Sequence, residues 1–122
     1  MFHDRRQRKP SLLACLGGLL AAAAVALSAY AAHGASDATA QSHLQTASLY
    51  AFGHGIALAA LAPATTRRLG KLALYLLLLG VLLFCGSLAL NVLAGTATKL
   101  APIGGTALIL AWLLWAVDAA RR

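Results

Sequence analysis

The residues able to do chemistry inside the apolar stretches of this chain are few, and they come in pairs. His54 follows Tyr50 by four residues, Asn91 follows Ser87 by four, and Asp37 follows His33 by four. That interval puts both members of a pair on one face of a helix. Counted from His43 at 1.5 Å per residue, His54 lies ~16 Å along its helix, near the middle of a span. Ser87 and Asn91 fall in the same outer half, and Pro102-Ile103-Gly104-Gly105 begins at that level. His33, Tyr50, His54, Ser87, Asn91, Gly104 and Gly105 therefore form a candidate polar cluster. Two chemistries stay open for it. One is hydrogen bonding between helices, needed because unpaired polar groups are costly in lipid. The other is a ligand or proton site, with His54 as proton acceptor and Gly104-Gly105 either exposing N–H groups to an anion or letting helices approach.

Several chemistries are excluded. A serine hydrolase needs a carboxylate to orient its base, and no acid lies in the stretches that hold Ser87 and His54. His33, His43 and His54 lack the short spacing of metal ligands. Cys15 and Cys85 stand alone in apolar runs with no CxxC pattern, as small unpaired hydrophobes. No catalytic residue, cofactor or metal site is expected, and the protein reads as a non-enzyme.

The elements that position these residues follow from composition. Of 122 residues, 61% are hydrophobic and 11% charged, and mean hydropathy is +0.78. A soluble domain carries about 25% charged residues, and a small body has proportionally more surface to wet. A water-soluble enzyme and a disordered chain are both ruled out. Four stretches approach the ~20 apolar residues that cross a bilayer. They are expected at about 11–32, 43–62, 69–94 and 102–117, within a domain spanning 11–120. Pro10 opens the first, Pro63 stops the second, Gly95 ends the third and Pro102 starts the fourth. Short connections make sequential helices antiparallel neighbours. The fold class is an all-α membrane protein, an antiparallel bundle of four transmembrane helices.

Charge sets the orientation. Arg5, Arg6, Arg8 and Lys9 lie in the basic segment 1–10, Arg67, Arg68 and Lys71 flank the middle turn, and Arg121 and Arg122 follow the last helix. Only Lys99 falls on the other side. The bias of cations toward the cytoplasm places both termini and the middle turn there. The cations thus indicate lipid as partner and not nucleic acid. The apolar run from Leu12 to Ala29 is longer than a leader core of about 7–15 residues, so the first stretch is expected to remain as a span. Asp118, three and four residues before Arg121 and Arg122, reads as an interfacial ion pair. Trp112, Trp115 and Tyr75 sit toward the cytoplasmic ends, as headgroup anchors or as lipid-facing bulk.

Small residues four apart mark helix contacts. Ala14, Gly18 and Ala22 form one such row, and Ala47, Ala51, Gly55 and Ala59 another. Leu16-Gly17-Gly18-Leu19-Leu20 also echoes Leu79-Gly80-Val81-Leu82-Leu83, either by chance or as a repeat of two hairpins.

Four segments together carry a resemblance. They are Ala29-Tyr30-Ala31-Ala32-His33-Gly34, Leu44-Gln45-Thr46-Ala47 followed by Tyr50 and His54, Leu83-Phe84-Cys85-Gly86-Ser87-Leu88, and Ala101-Pro102-Ile103-Gly104-Gly105. In this order they resemble the YgdD/YwdK-type family of small multi-pass bacterial inner-membrane proteins of unknown function. The chain departs from that pattern at Ala51, where the family commonly has Gln, and at Ala89, where it often has Tyr. The resemblance implies a four-helix inner-membrane protein and brings no activity, substrate or catalytic residue. The functional expectation is an accessory or interaction protein, acting as a homo-oligomer or with a membrane-protein partner. The alternative is a small oligomeric transporter or channel using the polar cluster.

Overall fold

The computed structural model describes residues 10–34 and 37–121; Arg5, Arg6, Arg8, Lys9 and Arg122 lie outside them. Four α-helices fill the described chain: α1 Leu12–His33, α2 Ala38–Leu61, α3 Arg68–Ala94 and α4 Leu100–Ala120, with a 3-10 turn at Ala62–Ala64 after α2. Ser11 caps α1, its hydroxyl oxygen accepting from the Ala14 N–H at 3.1 Å. Gly95 ends α3 at φ 71°, a left-handed value glycine adopts without strain.

Two helix starts differ from the hydropathy reading. α2 begins at Ala38 and not near His43, because Asp37 accepts from the Ala40 N–H at 2.7 Å and caps a first turn too polar to score as apolar. α4 begins at Leu100, ahead of Pro102. Proline fits there because the first turn of a helix has no acceptor for its N–H groups.

The helices pack in chain order. α1 lies on α2, α3 lies on α4, and α2 and α3 join the two hairpins. Each hairpin closes on a facing pair of glycines. A Cβ on Gly17 would come within 2.6 Å of the Gly55 carbonyl oxygen, and one on Gly80 within 3.0 Å of that of Gly104. Gly17 and Gly80 are the two residues that the sequence echo aligns. The row Ala14, Gly18, Ala22 is not the contact face of α1: Gly18 has open space beside it, while Leu13, Gly17, Ala24 and Ala31 are buried. Neighbouring glycines and abundant alanine leave either face small enough, so spacing alone could not choose.

Leu44, Leu58, Leu74, Leu77 and Val81 are fully buried along α2 and α3. The outside is apolar as well, with Leu12, Val25, Leu72, Leu79, Ile109 and Leu113 exposed on all sides. All four helices are long and apolar enough to cross a membrane. An outer surface of this kind is solvated by hydrocarbon and not by water, and the molecule is a four-helix membrane bundle in contact with the bilayer. Both ends of the described chain and the Arg67–Lys71 turn share one end of it, here termed the basic end.

Candidate functional site

The polar cluster resolves into separate hydrogen-bonded units. The first is centred on His54. Its Nδ1 lies 2.7 Å from the Tyr50 carbonyl oxygen, one turn back, and its Nε2 lies 3.1 Å from the Trp112 indole nitrogen on α4. An indole N–H can only donate and a carbonyl oxygen can only accept. Nδ1 therefore carries the proton and Nε2 offers its lone pair to Trp112. Both ring nitrogens are engaged. Tyr50 stacks on His54 with ring centroids 5.8 Å apart and meets Phe84 of α3 at 4.8 Å. This layer ties α2 to both helices of the second hairpin.

The second unit lies at the end away from the basic one. His43 Nδ1 is 3.0 Å from Asn91 Oδ1, and Asn91 Nδ2 donates to the Thr96 carbonyl oxygen at 2.7 Å. Because Asn91 uses its NH₂ on a carbonyl, its oxygen faces His43, and His43 donates from Nδ1. The bond fastens α2 to α3 where the chain leaves the helix. A third link, missed at the level of sequence, joins α2 to α1: the buried Ser48 hydroxyl donates to the Ala24 carbonyl oxygen at 2.7 Å.

The remaining candidates stand apart from these units. Ser87 is 6% exposed, and its hydroxyl has no hydrogen-bond partner among the described residues. His33 is exposed at the end of α1, joined to none of the others by a described bond. Gly104 is buried and a Cβ there would collide with the backbone nitrogen of Phe84; Gly105 lies beside the Phe84 ring. Both glycines sit past the first turn of α4, so their N–H groups belong to the helix ladder and face no anion. Close approach requires a glycine at 104, whereas a Cβ on Gly105 would make ordinary contact with the Phe84 ring. Among the described residues no group of three or more His, Cys, Asp or Glu is placed to hold a metal, and Cys15 and Cys85 are free thiols.

The most buried charge is at the basic end. Asp118 is fully buried within the bundle near the end of α4, and its Oδ1 lies 3.2 Å from Arg67 Nε, reached from the turn before α3. Arg121 is exposed. Gly70 makes the room, since a Cβ there would stand 2.8 Å from Asp118 Oδ2 and 2.9 Å from Thr65 Cγ2. Local spacing points to Arg121 and to Arg122, which lies outside the described residues, and does not reach a partner half the chain away. Only a topology that brings the α2–α3 turn beside the end of α4 discloses it. Trp112 carried a usable signal, because an indole N–H inside a span needs an acceptor and His54 is the imidazole nearest the middle.

Comparison with known proteins places this arrangement. Residues 27–105 match the family model described as a protein of unknown function, DUF423. That region contains both hydrogen-bonded units except Trp112. A UPF0382 membrane protein of Haemophilus influenzae is 39% identical over 98 residues, covering 73% of this chain and 77% of its own. No solved structure matches. The chain belongs to the DUF423 family, whose function is unknown, as an integral membrane protein.

Proposed function

We propose that this is a non-enzymatic membrane protein whose work is done by its surfaces, on a homo-oligomeric or membrane-protein partner, and whose internal polar groups hold the bundle together. The observation that carries this reading is the saturation of His54, with Nδ1 engaged by Tyr50 and Nε2 by Trp112. A proton carrier at midspan needs a ring nitrogen open to water or to a relay, and here each nitrogen has a partner within the bundle. His43, through Nδ1, and Asn91 add a second interhelical link. In this reading the basic end faces the cytoplasm of a bacterial inner membrane, supported by Arg67, Arg68, Lys71 and Arg121 lying at one end against Lys99 at the other. The four motifs shared with YgdD/YwdK-type proteins support the finer grouping.

The competing reading, a small oligomeric transporter or channel, has one observation in its favour, the buried Ser87 hydroxyl without a described partner. Proton flux into proteoliposomes separates the two. The glue reading expects no flux above empty liposomes from wild type or His54→Ala. A wild-type flux that disappears in a folded His54→Ala protein would establish transport instead.

A further inference from the structure

Three chain segments meet at the basic end and leave a space between them. α2 stops at Leu61, tightens into the 3-10 turn Ala62–Ala64, and the chain enters α3 only at Arg68. α1 starts beside that turn, at its cap Ser11. α1 and α3 both pack on α2 and have at most marginal contact with each other. Their ends therefore enclose a cavity of about 460 Å³. Its floor is apolar, built from Leu13 and Leu74, which are 8% and 1% exposed. Its more exposed lining includes the polar Ser11, Thr66, Lys71 and Tyr75 beside the apolar Leu12.

The rim chemistry has a definite sign. Among the described residues no acidic side chain lines the cavity, and Lys71 is exposed with no described ion pair. The Ser11 oxygen accepts from Ala14, so its hydroxyl hydrogen is left to donate, and Thr66 is exposed beside it. Hydrophobic floor, donor rim and an unpaired cation, all at the level where the helices leave the hydrocarbon, match an amphiphile with a negative head. A cation near the surface attracts anionic lipid, and a basic pocket between helix ends adds shape to that attraction.

We propose that this cavity is a binding site for an anionic phospholipid. Its phosphate sits on Lys71 with Ser11 and Thr66 donating, and its glycerol and upper acyl carbons lie over Leu13 and Leu74. The leaflet that supplies the lipid rests on the orientation given under Proposed function; the binding itself does not.

The test is native mass spectrometry of the full-length protein released from detergent micelles holding equal amounts of phosphatidylglycerol and phosphatidylcholine. Wild type is expected to retain phosphatidylglycerol about fivefold over phosphatidylcholine, the effect of one well-placed cation. Lys71→Gln abolishes the preference, Lys71→Arg restores it, and Thr66→Glu, a like charge on the rim, reverses it. Lys99→Gln at the opposite end leaves it unchanged, as does millimolar inorganic phosphate. Equal retention of the two lipids by wild type, or an undiminished preference in Lys71→Gln, overturns the site. Displacement by inorganic phosphate overturns its assignment to a lipid. Detergent has no sidedness, so failure here is distinct from failure of the orientation, which is read by labelling Lys71 and Lys99 from outside sealed vesicles.

Discussion

The two ends of the bundle hold their polar groups by different means. At the end away from the termini, His43, Asn91 and the Thr96 carbonyl form a chain of hydrogen bonds that holds no carboxylate and is partly exposed. At the basic end a single carboxylate, Asp118, is fully buried, paired with Arg67 at 3.2 Å and fitted against Gly70. Partly exposed groups can exchange a protein partner for water or another side chain. A buried charge has less recourse, because each counter-ion removed weakens its compensation in a medium that solvates it poorly. Tolerance to substitution should therefore be uneven along the bundle axis.

The largest effect is expected from Arg67→Met, which removes the cation 3.2 Å from the buried Asp118 carboxylate. The loss should be about 3 kcal/mol, at the low end for buried pairs because the Arg67 side chain is 40% exposed. It would be measured as the shift in the unfolding midpoint when the purified protein in mild detergent is titrated with a denaturing one. Gly17→Val comes next. Its added Cβ meets the Gly55 carbonyl oxygen at 2.6 Å, so the α1–α2 crossing must open at a cost of about 2 kcal/mol, with the same assay as readout. Asn91→Leu removes the hydrogen-bonded pair at the other end and should cost about 0.6 kcal/mol. A cost for Asn91→Leu equal to that of Arg67→Met would abolish the contrast between the ends. Lys71→Gln should change stability by less than about 0.5 kcal/mol while removing the lipid preference. That outcome would separate a binding cation at the basic end from the structural one beside it.

The number of spans, their antiparallel order and the clustering of cations were legible in the sequence, because hydrocarbon thickness and the punctuation of Pro63 and Gly95 act locally. Within the site, the pairs His54–Tyr50 and Ser87–Asn91 were legible as same-face residues because helical periodicity is local too. Partners across helices were not. Nothing in the spacing joins His54 to Trp112, Asn91 to His43 or Asp118 to Arg67, since each depends on helix rotation, and the many alanines and leucines of this chain leave rotation weakly marked. Gly104 shows the same limit from the other side. Near a helix start it resembles an anion cradle, and only its contact with Phe84 makes it a packing residue.

His54 is tied at both nitrogens, and nitrogen-15 magic-angle-spinning spectroscopy of the protein in lipid bilayers reads this directly. With His54 assigned by comparison with His54→Ala, the prediction is a protonated Nδ1 and a bare Nε2 whose resonance shifts when Trp112 is replaced by Phe. A proton on Nε2 in wild type, or an Nε2 resonance indifferent to Trp112→Phe, would contradict it.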